Sequence, residues 1–131
     1  MMKSVAIRVF PNGCARRLAL TDPHDTVQLL HLLGYVYGCH GQAKRGAAYL
    51  LIAAQLSPND IRVLRTLSHL LTLDGEADKA LETIARLEVL GDRGNPALHL
   101  LKSRALHVAG RQEEARQAFN RFVKMRAEIG T

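Results

Sequence analysis

Tryptophan is absent from this 131-residue chain, aromatic residues make up only 5% of it, and it has four prolines and two cysteines. Each scarcity excludes something. So few aromatic rings leave no stacking platform of the kind that holds single-stranded nucleic acid. Cys14 and Cys39 have no framework spacing and read as free thiols of a reducing compartment, not as staples of a secreted miniprotein. No run of about 18 apolar residues occurs, so membrane insertion is not expected. No glycine-rich phosphate loop appears. Six histidines are present, yet none makes the i, i+4 pair with a third ligand that zinc needs, so neither metal nor cofactor is expected.

What is present is 47% hydrophobic residues at a mean hydropathy of -0.05, the composition of a globular, helical protein. The length suits one domain, which at this size buries roughly two-thirds of the surface its unfolded chain exposes. A net charge of +6 raises the question of an anionic partner. Its distribution answers it, because Lys3, Arg8, Arg16 and Arg17 lie in the first 20 residues with no acid among them. The remainder carries 14 basic against 12 acidic side chains, mixed along its length, so no nucleic-acid partner is expected. Lys3 before an apolar stretch, with Gly13-Cys14 beyond it, has the outline of a lipoprotein signal. The stretch is broken by Arg8 and ended by Pro11, too short for the apolar region of such a signal, which points to a cytoplasmic protein.

Internal repetition organises the rest. Gly41, Gly75 and Gly110 recur at spacings of 34 and 35 residues, and a 34-residue period is that of the tetratricopeptide repeat (TPR), a helical hairpin that stacks on its neighbours. The unit from Val27 to Asp60 places Leu30, Leu33, Gly34 and Tyr37 on helix A and Gly46, Leu50 and Ala53 on helix B, with Gly41 opening the turn between them. Small residues belong where two helices cross closely; Gly34, Ser68, Ala80 and Ala115 fill that role along the chain. The second unit departs from the pattern at Asp92, where a proline is usual, and the third at Lys102 and Phe122. Asp22-Pro23, Ser57-Pro58 and Asn95-Pro96 each read as an N-cap before a first-turn proline. The expected fold is all-α: three tandem TPR helix-turn-helix hairpins stacked in a right-handed superhelix. Its helices run over about 23–39, 43–56, 58–73, 77–90, 96–109 and 112–127. The repeats span about 27–60, 61–94 and 96–127 of a TPR domain over 23–131, behind an N-terminal basic segment over 1–22.

From about Leu29 to Lys124 the chain resembles the YscY (SctY) family of type III secretion chaperones. The resemblance rests on LLHLLGYVYGCHGQAKRGAAYLLIAAQLSPND, on GEADKALETIARLEVL and above all on LKSRALHVAGRQEEARQAFNRFV. It implies a bacterial cytoplasmic protein that binds a small exported component, YscX/SctX-like, keeps it soluble and presents it to the cytosolic domain of the export gate. The class II translocator chaperones of the same systems, and generic TPR scaffolds, share the repeat architecture.

Catalysis needs a nucleophile with a base, or paired carboxylates, in one pocket. Glu113 and Glu114 are neighbours on a helix and point about 100° apart, and Cys39 and His40 are neighbours in sequence only. No enzyme is expected. The binding candidates are helix-A positions facing away from helix B: Gln28, His31 and Tyr35 in the first repeat, Arg62, Arg65, His69 and Thr72 in the second, Arg104 and His107 in the third. This polar, basic set would line the concave groove and suits an extended segment carrying carboxylates or many exposed backbone carbonyls. A second candidate is apolar. Ala47 to Ala54 is hydrophobic at eight successive positions and Leu29 to Tyr37 is apolar apart from His31 and Gly34, so Tyr49, Leu51 and Ile52 are expected to need cover from residues 1–22, from a partner helix or, in the unliganded protein, from a second copy in a homodimer.

Overall fold

The computed structural model describes residues 22–130, which fold as six α-helices with no strand among them. Apart from Asp22, the basic segment assigned to 1–22 lies outside the described residues, as do Cys14 and Thr131. The helices are α1 (Pro23–Cys39), α2 (Ala43–Leu56), α3 (Ile61–Leu73), α4 (Ala77–Val89), α5 (Pro96–Val108) and α6 (Gln112–Gly130), with a 3₁₀ turn at Asp92–Gly94 before α5. Helices joined by the short glycine turns pack on each other: α1 on α2, α3 on α4 and α5 on α6.

These three turns are built alike. Gly41, Gly75 and Gly110 have φ of 78°, 83° and 83°, a left-handed conformation that residues with a Cβ avoid. In each, the amide after the glycine reaches back to a carbonyl of the last helical turn: Gln42 to Tyr37, Glu76 to Leu71 and Arg111 to Leu106, all at 2.9 Å. This is the Schellman closure, which satisfies orphan carbonyls and reverses the chain within a few residues.

Two of the three expected caps form. Asp22 accepts from the His24 amide at 2.9 Å and Asn95 from the Ala97 amide at 3.0 Å. The start of α3 differs from expectation. Ser57-Pro58 does not open the helix; Ser57 to Asp60 form a turn closed by the Asp60 amide on the Ser57 carbonyl at 3.2 Å. Asp60 is the cap, accepting from the Arg62 amide at 3.0 Å. Serine followed by proline fits the first two places of a β-turn as well as a cap, and Asp60 is the better acceptor for the exposed amides.

One hydrophobic core runs through α1 to α5, from Val27 through Leu50, Leu67 and Ile84 to Leu98 and Ala105. Gly34, Ser68, Ala80 and Ala115 are all buried. At Gly34 α1 and α2 approach closely: a Cβ there would lie 2.8 Å from Leu50 Cγ and 2.9 Å from the Gly46 carbonyl oxygen. The last helix is less enclosed. On α6 Ala115 is buried while Phe119 and Val123 stay about half exposed.

Candidate functional site

The candidate basic residues sit on α1, α3 and α5, the first helix of each pair, and α3 contacts both of the others. Side-chain interactions tie the row together. His31 on α1 meets Thr66 Oγ1 on α3 at 2.8 Å. The Thr66 hydroxyl donates to the Arg62 carbonyl at 3.1 Å, which leaves its oxygen to accept from His31 Nε2–H. Burial holds the His31 imidazole below its ordinary pKa, and the nearby Arg62 charge adds to the effect against a smaller opposing pull from Asp60. His69 on α3 is likewise lowered, first by burial and then by Arg104 on α5. The Arg104 charge on α5 is therefore felt at His69 on α3.

Members of the row line two hollows. Gln28, His31 and Tyr35 line a shallow hollow with the exposed Leu29 and Leu32. Thr72, Arg104 and His107 line a separate, larger hollow of about 740 Å³ at the far end of α3, against α5 and the first turns of α6.

Two members of the set are engaged by the fold itself. Arg65 is not a free groove cation: its Nε donates to Asp92 Oδ2 at 3.0 Å and its Nη2 to Oδ1. The Asp92 side chain is 5% exposed, so this fork neutralises a carboxylate that water scarcely reaches. The departure from the repeat pattern at Asp92 is thus the partner of Arg65. Thr72 is buried, and its hydroxyl donates to the Ser68 carbonyl at 2.8 Å. Arg62 remains exposed, with Asp60 Oδ1 at 3.9 Å. Arg104 is exposed and has no carboxylate within ion-pair distance among the described residues. His107 Nδ1 donates to Gln112 Oε1 at 3.0 Å.

The apolar candidates divide in the same way. Leu51 and Ile52 are 47% and 52% exposed. Tyr49, expected beside them, is half-buried: its ring stacks on Tyr37 of α1, centroids 5.3 Å apart at 15°, with the Arg45 guanidinium 5.6 Å from the Tyr37 ring centre. It belongs to the α1–α2 contact, where the Tyr37 ring covers one of its faces. Leu29, Leu32 and Val36, within the run from Leu29 to Tyr37 that is apolar apart from His31 and Gly34, are exposed along α1, and Leu73 and Val108 lie exposed beside Phe119 in the larger hollow. The i, i+3, i+7 spacing of the first set was a legible signal; the second set is assembled from three helices and has none.

Two other departures find physical reasons. Lys102 Nζ pairs with Glu88 Oε2 of α4 at 3.1 Å, which lets a cation stand where a leucine is usual. His99 is buried and its Nε2 donates to the Arg93 carbonyl at 3.1 Å, pinning the 3₁₀ turn. Among the described residues no group of three or more His, Cys, Asp or Glu is placed to hold a metal ion, and no helix is long and apolar enough to cross a membrane. Cys39 is an exposed free thiol. No family model and no curated protein matches the chain.

Proposed function

We propose that this chain is a non-catalytic TPR module that works as a type III secretion chaperone of YscY (SctY) type, bacterial and cytoplasmic. Three helix pairs closed by the same glycine turn, with Gly41 and Gly75 34 residues apart, support the TPR reading. A chaperone of this kind takes a small exported component, YscX/SctX-like, covers its apolar surface, and hands it to the cytosolic domain of the export gate. Binding is non-covalent and needs no nucleotide. The observation that carries the reading is the large hollow between α3, α5 and α6, where exposed Leu73, Val108 and Phe119 share one concavity with Arg104. Exposed apolar groups gathered in a concavity mark a place for a partner.

Coexpression with the YscX/SctX-like component of the same secretion system tests it. The component should be insoluble or degraded alone and should leave a sizing column as a defined complex with this chain. Equal solubility of the component with and without the chain would contradict the proposal.

A further inference from the structure

Where this chain is a client-binding chaperone, the larger hollow also has a readable preference, and the inference rests on that reading. Its floor is apolar and comes from three elements: Leu73 at the end of α3, Leu100 and Val108 of α5, and Phe119 of α6. Leu73, Val108 and Phe119 are 58%, 45% and 45% exposed, so the floor is open to a visitor. At about 740 Å³ the hollow falls within the range of ligand sites, roughly 300–1,000 Å³.

The charges around it have one uncompensated sign. Arg116 also lines the hollow, but its Nη1 already holds Glu113 Oε2 at 2.7 Å. Arg104 has no such partner among the described residues, and its field reaches His69. A guanidinium beside an apolar floor selects a carboxylate on an otherwise apolar visitor. A second copy of this chain is the poorer fit, since even beyond its basic first 20 residues it carries more basic than acidic side chains, 14 against 12. We propose that the hollow between α3, α5 and α6 is the docking site for a short amphipathic segment of the client, with large apolar side chains on Leu73, Val108 and Phe119 and a carboxylate on Arg104.

Two fluorescein-labelled synthetic peptides of equal length test this by anisotropy. Both carry leucines at i, i+3, i+4 and i+7; one has flanking glutamates, the other lysines at the same places. The acidic peptide should bind at least about 10-fold more tightly, with the gap narrowing as salt rises. Arg104→Glu should weaken it by about 10-fold or more, Arg104→Met by less, and Phe119→Ala by about 10-fold. Leu29→Asp, in the other hollow, should leave it unchanged. Melting curves that stay near wild type for Arg104→Met and Phe119→Ala keep the comparison clean.

Equal affinity for the two peptides, or indifference to both Arg104 and Phe119, overturns the assignment. So does a wild-type dimer that Phe119→Ala dissolves, which would make a second copy the occupant. A coexpressed client whose complex survives Arg104→Glu and Phe119→Ala overturns the site while leaving the chaperone reading standing. Peptide binding that depends on these residues, in a chain that forms no complex with the exported component, supports the site and removes the chaperone reading.

Discussion

Arg65 on α3 grips Asp92 at the turn before α5 with two prongs of its guanidinium, joining the second helix pair to the third through a side chain that water scarcely reaches. A bidentate fork of this kind fixes orientation as well as charge, and Lys102 with Glu88 makes a second link between α4 and α5. Removing the cation is the damaging change, because it strands a buried carboxylate. Arg65→Met should lower stability by about 2–3 kcal/mol and Asp92→Asn by about 1, with the double variant losing less than the sum. Urea unfolding of the four proteins measures this coupling. Additive losses would mean that the two groups do not act as a pair.

The close crossing of α1 and α2 yields a graded series of glycine substitutions. A Cβ at Gly34 meets the Gly46 carbonyl at 2.9 Å, and one at Gly46 meets the Gly34 carbonyl at 2.5 Å, so both press on backbone that cannot turn aside. At Gly38 the obstacle is the end of the Leu70 side chain, which can change rotamer. Alanine gains about 1 kcal/mol of helix propensity over glycine at any of the three positions. Gly34→Ala and Gly46→Ala should nevertheless lose about 1–3 kcal/mol, while Gly38→Ala should be close to neutral. Thermal unfolding ranks them, and a Gly34→Ala variant more stable than wild type would refute the packing described.

His69 should titrate below the ordinary histidine value of about 6.5, mainly because it is partly buried and secondarily because Arg104 repels its charged form. With its folded pKa below the unfolded one, the unfolded chain binds more protons in the interval between them. Stability associated with neutral His69 is therefore fully present above about pH 6.5 and is lost as pH falls through the folded value. His31 acts in the same direction through burial and Arg62. Arg104→Met should raise the His69 pKa, seen by NMR titration of the imidazole protons, and leave His31 in place. An unmoved His69 would separate it from Arg104.

On α2, aliphatic and aromatic positions should respond differently. Leu51→Glu and Ile52→Glu change exposed side chains and should shift stability by less than about 0.5 kcal/mol. Tyr49→Ala loses its stacking on Tyr37 and should cost about 1–2 kcal/mol. If Leu51→Glu also turns a self-associating protein into a monomer by light scattering, the exposed α2 face is where copies meet. A monomer both before and after that change leaves it as ordinary surface.

The helices were legible because the repeat spaces its glycines and apolar positions evenly, and α1 and α2 keep their expected ends. The start of α3 falls later than expected because Ser57-Pro58 satisfies the chemistry of a helix start and of a β-turn equally, and Asp60 caps the exposed amides of Arg62 and Val63 instead. At the candidate site, one-dimensional spacing placed Arg62, Arg65 and Arg104 on one helix row. It could not show that Arg65 is held by a residue 27 positions away, or that Leu73, Val108 and Phe119 meet in one hollow. Partners distant in sequence leave no periodic trace.

The most direct test of the chaperone reading is calorimetric titration of the purified chain with the YscX/SctX-like component, comparing wild type with an Arg62→Glu, Arg104→Glu double variant that keeps Arg65 on Asp92. Both altered arginines are exposed, so the variant should melt within a few degrees of wild type. The expected result is a defined stoichiometry for the wild type and at least about 10-fold weaker binding for the variant. A variant that binds equally well would clear the exposed arginines and leave the chaperone reading standing; a folded wild-type protein that gives no heat and no complex would contradict it.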